Sequence, residues 1–71
     1  MELKDLMKKR REELGITQLD LAQMAEVGIA TIKDIERGKG NPSLSTVNKI
    51  LEILGMEIDY RLRRPSLMDR L

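Results

Sequence analysis

TQLDLAQMAEVGIATIKDIERG, the run from Thr17 to Gly38, decides the fold. Thr17 is a natural N-cap, because its hydroxyl can accept an orphan amide of the next turn, and Asp20 puts an acid where the helix dipole favours one. Leu19, Leu21, Ala22, Met24 and Ala25 follow as a short apolar set of about two helical turns. Glu26, Val27 and Gly28 interrupt it, and the chain must turn there. Ile29 to Arg37 resumes the helical period with Ile32 and Ile35 facing inward, and Gly38 stops it.

Working outward, Leu3, Leu6, Met7, Arg10 and Leu14 fall at helical spacing and end at Gly15, which predicts a preceding helix. Gly38, Lys39, Gly40, Asn41 and Pro42 form a loop. Ser43 then caps a fourth helix, whose stripe of Leu44, Val47, Ile50, Leu51 and Leu54 ends at Gly55. Beyond Gly55 the period becomes two: Met56, Ile58, Tyr60 and Leu62 alternate with Glu57, Asp59, Arg61 and Arg63, which predicts a strand. No other segment offers it a partner. Antiparallel pairing with a second copy across a two-fold axis resolves this and makes Met56, Ile58, Tyr60 and Leu62 a dimer interface. A fifth helix placing Ile58 and Leu62 on one face is the alternative. The expected organisation is a helical domain over 1–55, a dimerisation strand over 56–64 and a flexible tail over 65–71. In that tail Leu67, Met68 and Leu71 are free to dock on a partner.

The chain has 71 residues, 13 Lys plus Arg against 12 Asp plus Glu, a single aromatic residue, and neither cysteine nor histidine. A chain this short removes only about 60% of its unfolded surface from water, so well-packed helices or a second chain must supply stability. Lacking thiols and imidazoles, it has no disulfide, no usual zinc site and no imidazole base; neither enzymatic activity nor a metal or cofactor is expected. No apolar run approaches the roughly 20 residues of a membrane span and no signal peptide opens the chain, so a cytoplasmic protein without a membrane partner is expected. The net charge of +1 hides a local arrangement, for Lys8, Lys9, Arg10 and Arg11 are consecutive and Lys33, Arg37 and Lys39 cluster near the middle. Local potential, not the sum, attracts phosphate. Charge alone fits solvated helix faces better than a nucleic-acid surface.

The motif decides otherwise. Two helices of eight or nine residues joined by a turn of three or four resemble the helix-turn-helix, a motif whose second helix enters the major groove. With Gln18 as its first position, Leu21, Ala22, Ala25, Val27, Ile32 and Ile35 fall where the motif needs buried groups. Ala22 lies where the helices cross, and a leucine there would overpack them at a cost of about 1–3 kcal/mol. Glu26 stands where the motif often has a left-handed glycine, which costs another residue about 1–2 kcal/mol. Gly28 replaces the usual serine or threonine cap, so the second helix of the motif is expected to fray at its start and to be ordered by binding.

Thr17, Gln18, Leu21, Ala22, Ala25, Val27, Thr31, Ile32, Ile35, Glu36, Arg37, Gly38, then Asn41 to Leu44, Thr46, Lys49, Ile50, Leu54 and Gly55 carry a family resemblance. Over residues 3 to 55 the chain resembles the Cro and phage-repressor type of helix-turn-helix regulator, the XRE family. That resemblance implies a mainly α, lambda-repressor-like bundle of four short helices. The alternating tail and the Ile29-Ala30-Thr31-Ile32 segment are further similar to the HipB-type antitoxins, small dimeric repressors that bind a HipA-like kinase toxin and repress their own operon.

The resemblance implies a sequence-specific repressor that binds a palindromic DNA operator as a homodimer, recognition helices about 34 Å apart, and, at its finest, the antitoxin of a toxin–antitoxin pair. A stand-alone phage-type or metabolic regulator, or a protein-binding module without DNA binding, are the alternatives. Residue by residue, it implies that Gln18 contacts a phosphate at a helix N-terminus and that Thr17 caps the helix and adds a second contact. Ile29, Ala30, Thr31, Lys33 and Asp34 match positions facing base edges or flanking phosphates, and Arg37, Lys39 and Asn41 match phosphate contacts. Arg11 and Glu36 match a pair linking the first helix to the recognition helix. Ile29 and Ala30 have no polar group, so direct reading leans on thymine methyls, Lys33 is left to grip a guanine edge, and Asp34 either accepts from cytosine or repels phosphate. Part of the sequence preference is then expected to come from DNA shape.

Overall fold

Local chemistry sets most of the helix ends. The computed structural model describes residues 2–59 and 65–67. Among them are four α-helices, α1 (Leu3–Glu13), α2 (Gln18–Ala25), α3 (Ile29–Glu36) and α4 (Leu44–Ile53). Thr17 and Asp20 cap α2 reciprocally: the Asp20 amide donates to Thr17 Oγ1 at 3.0 Å and the Thr17 amide to Asp20 Oδ2 at 2.9 Å, so two orphan donors are satisfied at once. Ser43 Oγ accepts from the Thr46 amide at 3.1 Å and caps α4. At the start of α3, Gly28 provides no side-chain cap.

All four helices stop by one device. Gly15, Glu26, Gly38 and Gly55 each take a left-handed backbone, at φ of 68°, 56°, 75° and 72°. The following amide then reaches back to the last turn, from Ile16 to Arg11, Val27 to Ala22, Lys39 to Asp34 and Met56 to Leu51. Glu26 is the exception to glycine, and it adopts the conformation that the motif requires in spite of its Cβ.

Met7, Leu21, Ala22, Ala25, Ile32, Ile35, Ile50 and Leu54 make the core, with Leu3, Ile16, Val27, Ile53 and Met56 packed against it. Every helix contributes. α2 packs on α3 and α4, and α1 packs on α3. Ala22 is buried, in keeping with the close approach of α2 to α3 that its small side chain allows. The apolar stripes read from the sequence are too wide in places: Leu19, Met24 and Leu44 are half or more exposed, and Leu14 nearly so. Leu19 and Met24 point about 100° away from the buried face of α2, whereas Leu14 and Leu44 keep the inward register but sit at the ends of α1 and α4. The methionines divide likewise, Met7 buried, Met56 half-buried and Met24 outside.

Of the expected strand, Met56 to Asp59 show no regular secondary structure. Met56 packs on this chain's own core, because the backward bond of its amide to Leu51 folds it over the end of α4. Ile58 is half-buried. Tyr60, Leu62 and the rest of the segment through 64 lie outside the described residues, as does most of the tail.

The cap on α2 sets a pH dependence. Hydrogen bonds from the Thr17 amide and then its hydroxyl hold the Asp20 carboxyl below its ordinary value. A folded-state value depressed in this way stabilises fully above the unfolded value of about 3.9 and loses that contribution as pH falls through the folded value. An NMR titration should therefore place the Asp20 midpoint below that of a model aspartate. Thermal melts should show Asp20→Asn losing stability near neutrality and converging on the wild type in acid; parallel curves would show that the cap does not titrate.

Candidate nucleic-acid interface

Glu36 closes α3, and its side chain is only 4% exposed. Arg11, from α1, meets it with two nearly parallel bonds, Nε to Oε2 and Nη2 to Oε1, both at 3.0 Å. The remaining Nη1 donates to the Ile16 carbonyl at 3.0 Å. Bonding to the Glu36 carboxylate raises the Arg11 pKa further, so Arg11 stays protonated at any working pH. Gln18 joins the same group, its Nε2 donating to Glu36 Oε1 at 3.3 Å. Arg11, Gln18 and Glu36, far apart in sequence, thus form one cluster under the helix-turn-helix.

The opposite face of α3 is bare. Ile29 is 36% exposed, Ala30 and Lys33 are exposed, and Thr31 and Asp34 are half-buried, while Ile32 and Ile35 are turned into the core. Ile29, Ala30 and Lys33 are therefore open to solvent along one side of α3, with Thr31 and Asp34 at its border. Thr17, Arg37, Lys39 and Asn41 are exposed as well. Thr31, Asp34, Lys39 and Asn41 line one open groove with Ile35, Gly40 and Pro42, so the start of the loop after α3 lies beside that helix. Lys8 and Lys9 are exposed on α1.

Several roles were hidden in the sequence. Asp34 accepts from Arg37 in an ion pair along α3; the spacing of three between opposite charges was the available signal. Gln18 is held by Glu36 as well as standing at a helix N-terminus, a contact that only the tertiary structure creates. Arg10, within the basic run, has a structural partner: its Nε donates to the Leu54 carbonyl at 2.9 Å and caps α4 from across the molecule. Among the described residues, no cluster of acids could hold a metal ion.

A family model described as helix-turn-helix matches residues 7–61. The chain belongs to this helix-turn-helix family, in its XRE and Cro branch. An uncharacterised HTH-type transcriptional regulator of Methanothermobacter thermautotrophicus is 38% identical over 55 residues, which is 78% of this chain and 80% of that protein. The HTH-type transcriptional regulator DdrOP3 of Deinococcus deserti is 31% identical over 58 residues, 82% of this chain and 45% of that protein. The immunity repressor protein of Bacillus phage phi105 is 38% identical over 52 residues, 73% of this chain and 36% of that protein. The chain thus spans less than half the length of these last two. Membership carries the coarse function of the family, DNA-binding transcription regulation. No helix among the described residues is long and apolar enough to cross a membrane.

In this helix-turn-helix domain the ion pair beneath α3 is largely buried, so removing one partner leaves a charge without compensation. Arg11→Met or Glu36→Leu alone should destabilise by about 3 kcal/mol, whereas changing both together should restore much of the loss. Urea unfolding measures this, and additive single losses would show that the two side chains act independently.

Proposed function

We infer that this protein is a sequence-specific transcriptional repressor that binds a palindromic operator as a homodimer. One observation carries the reading: α3 is held rigidly from behind by Arg11, Glu36 and its own isoleucines, while Ile29, Ala30 and Lys33 face solvent. Such a helix is of a size to enter a major groove, with two copies spaced by about one helical turn of DNA. Lys33 grips a guanine edge, Ile29 and Ala30 meet thymine methyls, and Thr31 and Asp34 border them. Gln18 and Thr17 at the start of α2, with Arg37, Lys39 and Asn41 beyond α3, hold the phosphates. The name of the phage immunity repressor supports repression.

The HipB-like antitoxin role extends the same reading to a second partner, a HipA-like kinase toxin. An adjoining reading frame for a kinase whose product co-purifies with this chain would support it; an unrelated neighbour would leave the stand-alone repressor.

The roles separate in a binding titration. Lys33→Ala should weaken the site upstream of the protein's own gene by about 1–3 kcal/mol and random duplex far less, whereas Lys39→Ala should weaken both alike and flatten the salt slope by about one. The reverse pattern would show the two lysines to have exchanged roles. Dimerisation is checked by sizing a chain ended after Asp59, which keeps Met56 in the core. It should run as a monomer, and an unchanged dimer would place the interface elsewhere.

A further inference from the structure

The recognition face of α3 is poor in polar groups, and one of the few it carries has the wrong sign for DNA. Asp34 stands between Lys33 and the loop, with its side chain 43% exposed and that of Arg37 61% exposed. Arg37 donates to it along the helix. On its other side the loop is close: the Lys39 amide donates to the Asp34 carbonyl at 2.8 Å, and a Cβ on Gly40 would lie 3.6 Å from Asp34 Cβ. The loop thus fixes the backbone and Cβ of Asp34, while its carboxylate stays part-exposed with Arg37 as its bonded partner.

We propose that Asp34 is a specificity-determining residue, a carboxylate that holds Arg37 back from the phosphates and so penalises duplex lacking the operator sequence. This rests on the DNA-binding reading above. Against a sequence that presents base-edge acceptors, Asp34 meets only repulsion and Arg37 stays paired. Where a cytosine amine lies in register, Asp34 accepts from it, Arg37 turns to a backbone phosphate, and the penalty becomes two contacts. The exchange is feasible because an exposed pair of this kind is worth at most about a fivefold factor. A bare lysine or arginine in its place would bind all DNA; the carboxylate makes affinity conditional.

The test uses the full chain, a labelled duplex from upstream of its own gene, a scrambled duplex of equal length, and a salt series. Asp34→Asn and Asp34→Ser, both checked by circular dichroism, should bind the scrambled duplex about two- to fivefold more tightly than the wild type. Their salt slope on it should steepen by about 0.9 as Arg37 reaches a phosphate. Affinity for the upstream duplex should stay level or fall, so discrimination drops, and in an Arg37→Ala background the gain on scrambled DNA should shrink. Unchanged affinity and slope on scrambled DNA, or equal tightening on both duplexes, would overturn the proposal. A wild type that binds neither duplex at low salt would instead overturn the DNA-binding reading, and this proposal with it.

Discussion

The carboxylate of Glu36 is the point to which the helix-turn-helix is anchored. It receives Arg11 from α1 and Gln18 from α2, and Arg11 in turn takes the carbonyl of Ile16 in the turn between them. A planar guanidinium pairs both carboxylate oxygens side by side and keeps a further donor for the backbone oxygen; the ammonium of a lysine lacks that fork. Taking two charges out of water is costly, so the pair adds less to stability than its four bonds suggest. What its bonds do is tie the C-terminal end of α3 to α1, to the start of α2 and to the turn between them.

The front of the domain contrasts with this rigid back. A face made of Ile29, Ala30, Thr31, Lys33 and Asp34 has few ways to donate to a base. Discrimination by such a surface leans on methyl contacts, on the shape of the duplex and on where charge is withheld. The start of α3 at Gly28 is uncapped. With no side-chain cap, the Thr31 amide in the first turn of α3 is satisfied by the Gly28 carbonyl instead.

The helix ends link local and tertiary structure. Where the residue after the left-handed stop is apolar, as with Ile16, Val27 and Met56, it folds back onto the core. At the end of α3 that residue is Lys39, and it stays in solvent next to the recognition helix. The same backbone turn therefore closes the core three times and presents a cation once. Met56 shows the limit of reading alternation as a strand: its first apolar position belongs to the stop of α4, which a period of two does not distinguish.

Much of this was legible in the chain itself. Helix number, caps at Thr17 and Ser43 and stops at the glycines are decided within a few residues, because they depend on the conformational freedom and hydrogen-bonding groups of immediate neighbours. The buried set Leu21, Ala22, Ala25, Ile32 and Ile35 followed from the positions the helix-turn-helix pattern needs buried. The edges of the stripes did not, since whether Leu14, Leu19, Met24 or Leu44 is covered depends on which helix lies opposite. Arg10 and Arg11 make the same point most sharply. Adjacent and alike in sequence, they point to different places, one capping α4 at Leu54 and the other pairing with Glu36 under α3, because successive residues on a helix diverge by about 100° and only the packing of the other helices decides what each one meets.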